Sequence, residues 1–114
     1  MKFQPIGLLA LCCVAGVAGA AQSAKTQTFA GSITDSECAT ANHSLMRMGD
    51  TDAECVQMCV DAHGATYLLT DGKTSYQLSD QKTPAPFAGK KVTVTGTLDE
   101  KTHTITVTSI VAAR

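Results

Sequence analysis

Two runs near the C-terminus, Lys91 to Leu98 (KVTVTGTL) and Thr104 to Ile110 (TITVTSI), alternate aliphatic residues with threonines. Successive side chains of a strand point to opposite faces, so Val92 and Val94, like Ile105 and Val107, fall on one face and threonines on the other. A helix would scatter the same residues around its axis. Joined across Asp99 to His103, the runs predict a hairpin with one wet face. Gly96 marks a bulge or a sharp bend within it. A half-wet hairpin needs further elements to cover its dry face, and these must come from the residues upstream.

Gln27 to Thr34 alternates in the same way, with Phe29, Gly31 and Ile33 on one side, and predicts a strand that ends in the turn-like cluster Thr34-Asp35-Ser36. Ala65 to Leu78 reads as two strands about Asp71-Gly72, a pair suited to a two-residue type I′ turn. That register would place Tyr67 opposite Tyr76 as a cross-strand aromatic pair. Between these strands, Thr51-Asp52-Ala53-Glu54 has the form of a capping box, and Gly64 suits a left-handed helix end. A helix over 52–63 follows, with Cys55, Val56, Cys59, Val60, Ala62 and His63 on one broad face and Glu54, Gln57 and Asp61 opposite. Lys82 to Gly89, with Pro84 and Pro86, reads as a connector. The fold class is therefore mainly β with one short helix: a small five-stranded, partly open OB-like barrel with the helix inserted after the first strand. A roll or sandwich is the alternative.

The chain has 114 residues, room for one domain. Met1-Lys2, the apolar stretch Ile6 to Ala18 and the small residues Ala18-Gly19-Ala20 have the order of a secretory signal, too short to span a bilayer. Residues 1–21 are expected to be a signal peptide. Residues 22–114 form a single domain, with the cysteine- and histidine-bearing insert over about 35–64. The protein is then periplasmic or secreted, with no stable membrane insertion. Cys12 and Cys13 leave with the signal, so Cys38, Cys55 and Cys59 remain to meet an oxidising compartment.

Those three cysteines admit two structural readings. One is a disulfide from Cys38 to Cys55 or Cys59, tying the first strand to the helix; a Cys55–Cys59 bridge is less comfortable. The other is a metal site of Cys38, His43, Cys55 and Cys59, a Cys3His set of the kind that holds structural zinc. Cys55 and Cys59 lie one helical turn apart and can converge on one ion, and His63 is a reserve ligand a turn further on. Met46, Met48 and Met58 nearby admit copper as a lesser variant of zinc, although methionines more often fill gaps. A redox-active pair is disfavoured because no C-x-x-C occurs and the thiols point inward.

Other chemistry finds little footing. No G-x-S-x-G, H-E-x-x-H or glycine-rich phosphate loop occurs, so there are no catalytic candidates and the protein is not expected to be an enzyme. Asp35 and Glu37 beside Cys38 are the sort of acid pair common on surfaces, and His103 reads as a solvated loop residue. Asn42-His43-Ser44 fits a glycosylation acceptor by coincidence of sequence. From Asp35 to Asp61 six acids face Arg47 alone, a field that attracts cations and repels nucleic acid. Scarce aromatics also argue against the base stacking that single strands require.

The string Gly31-Ser-Ile-Thr-Asp-Ser-Glu-Cys38, His43, Cys55-x3-Cys59, Gly64-Ala-Thr-Tyr67 and Gly89-Lys-Lys-Val-Thr-Val-Thr-Gly96 resembles a pattern in small, secreted, uncharacterised bacterial proteins: G-x-I-x-D-S-x-C…H…C-x3-C…G-x-x-Y…G-K-K-V-x-V-x-G. The closing hairpin is also similar to that of bacterial periplasmic OB-fold proteins. The resemblance implies compartment and fold and supplies no reaction. The expectation is a non-catalytic exported binding or structural module, pinned by a disulfide from Cys38 to the 52–63 helix and engaging an unidentified envelope or extracellular component. The alternative is a transition-metal binder using the Cys3His cluster.

Overall fold

A computed structural model of the protein describes residues 25–42 and 47–113. The expected signal over residues 1–21 lies outside the described residues, as do His43 and Met46. Among the described residues five strands and one α-helix follow in chain order: β1 (Gln27–Asp35), α1 (Asp52–His63), β2 (Tyr67–Thr70), β3 (Ser75–Leu78), β4 (Lys91–Asp99) and β5 (Thr104–Ala112). The sheet closes on itself in the order β1-β2-β3-β5-β4, with β4 returning to β1. This is the mainly β, ring-like arrangement with a helix after the first strand that the alternation predicts. The β3–β5 pairing is parallel and joins Gln77 to Thr104 and Leu78 to Ile105, so the ring closes through a thin seam. Among the described residues no helix is long and apolar enough to cross a membrane.

The interior follows from the alternation. Ile33, Leu69, Leu78, Val92, Val94 and Ile105 are buried together, and Val56 enters from α1. In β5 the inward set changes from Ile105 and Val107 to Ile110, a change of parity. A strict period of two forbids this unless the register slips by one residue. It does: Thr95 faces Ser109 while Gly96 faces Val107, so one extra residue bulges out of β5. Gly96 is where the strands press closest. A Cβ there would strike the Thr106 carbonyl oxygen and lie 2.9 Å from Cγ2 of Ile105.

The β2–β3 hairpin departs from the expected two-residue turn. Its loop is Asp71–Thr74, and the register pairs Leu69 with Tyr76. The Asp71 carboxylate explains the difference: its Oδ1 accepts from Lys73 N at 2.8 Å and Thr74 N at 2.7 Å. A side chain that bonds the backbone two and three residues on offers an alternative to the type I′ turn. Tyr76 consequently packs with Phe29 (centroids 5.5 Å apart) and under the His103 ring (6.2 Å), while Tyr67 donates its hydroxyl to Gln57 at 3.0 Å. His103, expected to be merely solvated, is exposed yet stacked on Tyr76. Within the connector, Ala85–Phe87 form a short 3-10 turn whose Ala85 carbonyl accepts from Gln57 Nε2 at 2.7 Å.

Candidate functional site

The helix is fixed at both ends. Thr51 Oγ1 accepts from Glu54 N, and the Glu54 carboxylate accepts in return from Thr51 N, which completes the capping box. Gly64, at φ 68°, turns the chain out and caps the Cys59 carbonyl, a left-handed conformation that costs glycine little. Between these caps Cys55, Val56 and Cys59 are fully buried. Arg47 steadies the approach to the helix, donating to the Asp50 carbonyl at 2.7 Å and pairing with Asp52 at 3.5 Å. Met48 is thereby laid over the thiols. Its N–H lies 3.4 Å from Cys55 Sγ and its sulfur 3.9 Å from Cys59 Sγ.

The third thiol arrives from β1. At the end of that strand Asp35 is fully buried, and its Oδ1 accepts from Glu37 N at 2.9 Å and Cys38 N at 3.0 Å. Thr34 Oγ1 donates to the Cys38 carbonyl at 2.6 Å. Ser36 holds the far side of the turn against Thr66, N to O at 2.9 Å. The chain is thus folded back so that Cys38, 6% exposed, faces the helix.

The result is a compact donor set. One carboxylate oxygen each of Asp35 and Glu37 and Sγ of Cys59 lie within 4.8 Å of one another, and the Cys38 thiol meets that of Cys55. No pair among the three cysteines stands at disulfide distance. The bridge expected from Cys38 to the helix is therefore not formed in this structure; the side chains approach as thiols in contact. Of the four expected metal ligands, Cys38 contacts Cys55 while Cys59 lies with Asp35 and Glu37, and His43 lies outside the described residues. Asp35, set with Glu37 among acids of a kind common on surfaces, is buried in the cluster instead, whereas Glu37 is exposed at its edge. Thr34-Asp35-Ser36 signalled the turn that the Asp35 carboxylate makes, but not its burial near Cys59.

Burial, and after it the Asp35 carboxylate, pushes the Cys38 thiol up to about 11 from an ordinary 9.0. Burial again dominates at Cys59, with Asp35 and Glu37 adding, and takes that thiol up to about 12. Both are therefore neutral near pH 7 in the metal-free protein. A thiol raised in the folded state contributes stability that is complete below its unfolded value and is lost as pH climbs towards its folded value. The reduced, metal-free protein is expected to lose stability between pH 9.0 and about 11–12, and Cys59→Ser to lose less of it. Urea midpoints taken at about pH 8 and pH 10 measure the difference; equal losses in the two proteins would show that Cys59 is not sealed from water.

Residues 60–113 match the model of a family described as a protein of unknown function, DUF5818. The match covers the last turn of α1 and strands β2 to β5, beginning one residue past Cys59. No curated protein and no solved structure matches the chain.

One atom in the cluster is out of balance. Asp35 Oδ1 is doubly bonded to the turn, but Asp35 Oδ2 is buried with no hydrogen-bond partner. Leaving a buried acceptor unmet costs roughly 1–3 kcal/mol, and more for a charged group. A cation seated among the sulfurs would meet that oxygen and replace the thiol protons together. Elsewhere, a groove of about 380 Å³ beside Gly31, Ser32 and Ala41 has Asp71 and Lys91 as its charged lining residues. It gathers no comparable set of donors.

Proposed function

We propose that the protein is an exported, non-catalytic metal-binding module that holds one zinc ion through Cys38, Cys55, Cys59 and Asp35. The buried Asp35 carboxylate, whose Oδ2 has no hydrogen-bond partner and one of whose oxygens lies within 4.8 Å of Cys59 Sγ, carries this reading. Three thiolates and one carboxylate make a four-donor set that tetrahedral zinc accepts. Two carboxylates near the sulfurs favour zinc over monovalent copper, which prefers an all-soft shell. Bound there, zinc would supply cross-linking between the end of β1 and α1, as the disulfide reading also required.

Native mass spectrometry of protein recovered from the producing cell tests the reading, with thiol alkylation before and after chelation. One zinc per chain, with the thiols alkylated only after chelation, is the expected result. A metal-free mass lacking two hydrogens, with one alkylatable thiol throughout, would overturn it. The Cys38–Cys55 contact would then mark the bridge of a structural or binding module.

A further inference from the structure

Glu37 stands at the boundary between the thiols and solvent. Its backbone N–H is fixed by Asp35 Oδ1 at 2.9 Å, which sets where the side chain starts. One of its carboxylate oxygens lies within 4.8 Å of Cys59 Sγ and of an Asp35 oxygen. On the outer side, Glu37 Oε1 is 3.3 Å from His63 Nδ1, with the two side chains 30% and 41% exposed respectively. His63 follows Cys59 by four residues on α1, so it sits one turn outward on the same flank. Cys55 and Cys59 themselves have no exposed surface.

We propose that Glu37 and His63 form the port through which a hydrated zinc ion reaches the buried thiols, an inference that rests on the metal-binding reading. A hydrated divalent ion must exchange its waters for protein donors stepwise. Imidazole nitrogen and carboxylate oxygen are donors that zinc accepts at the surface, ahead of the sulfurs that hold it inside. Glu37 can hand the ion inward because the same carboxylate touches both levels. An exposed pair of this kind contributes little to stability by itself, so its variants retain the fold.

The test is stopped-flow transfer of zinc from a chromophoric chelator to the reduced, metal-free full chain, run beside equilibrium competition with the same chelator. Glu37→Gln and His63→Ala are each expected to slow loading roughly tenfold, the scale on which charge lining a cleft alters association. In His63→Ala release slows by the same factor, and stoichiometry and affinity stay within about threefold of the parent. Parental loading rates in both variants would overturn the port. So would an affinity that falls in step with the loading rate in His63→Ala, because His63 would then be a permanent ligand. A parent chain that binds no zinc at equilibrium removes the four-donor reading, and the port with it.

Discussion

Zinc at about a thousandfold excess over its dissociation constant is expected to raise the midpoint of thermal unfolding by roughly 15–30 °C. A ligand that binds only the folded chain adds about 4 kcal/mol at that excess, and 1 kcal/mol moves the midpoint of a domain of roughly 60–100 residues by about 4–8 °C. The size of the effect follows from where the donors come from. Asp35 and Cys38 belong to the end of β1 and its turn, whereas Cys55 and Cys59 belong to α1, and the unfolded chain brings them together rarely. Cys59→Ser removes a central donor with little change of volume. It should abolish the zinc-dependent rise while moving the metal-free midpoint by only a few degrees. A shift below about 2 °C in the parent protein would exclude a preformed metal site.

The same expectation turns on Asp35 in a way that a purely structural role would not. Asparagine at position 35 keeps an acceptor for the N–H groups of Glu37 and Cys38, so the turn survives. It also removes a buried carboxylate whose second oxygen has no partner. Asp35→Asn should therefore leave the metal-free protein as stable as the parent, or up to about 1 kcal/mol more so. Its zinc affinity should fall at least about 100-fold, since even supporting groups around a metal are worth 10–100-fold. Opposite signs for the two quantities identify a residue kept for the ion. A parallel loss of both would identify a residue kept for the turn.

How far the fold was legible depended on whether a local pattern faced competition. The threonine alternation of β4 and β5 had none, and even the parity change near Gly96 was visible as a glycine in a strand. The helix was bounded by Thr51, Glu54 and Gly64, each acting on its own backbone neighbours. The Asp71-Gly72 turn was misjudged because the Asp71 side chain captures the amides of Lys73 and Thr74, an option the dipeptide alone does not reveal. At the site, Cys55-x3-Cys59 already implied convergence. The burial of Asp35 did not follow from its neighbours, because it depends on Ser36 meeting Thr66, thirty residues on.

Ile105→Ala is expected to cost about 2–5 kcal/mol, the range for truncating a buried isoleucine, a large part of the roughly 5–15 kcal/mol by which a folded domain is stable. Ile105 is fully buried and pairs with both Leu78 and Leu98. Its carbonyl accepts from Ser79 N at 2.9 Å, while Gln77 N donates to His103 O at 2.8 Å. These bonds make the β3–β5 seam, so the cavity opens where the ring has the fewest ladder bonds to lose. Hydrogen exchange of the variant should show the Gln77 and Ser79 amides exposed well before those of Val92 and Val94. Zinc, seated between β1 and α1, should restore the global midpoint without restoring protection at the seam. Simultaneous loss at all four amides, recovered together by zinc, would mean instead that the ring opens as one cooperative unit and that its thin closure carries no weakness of its own.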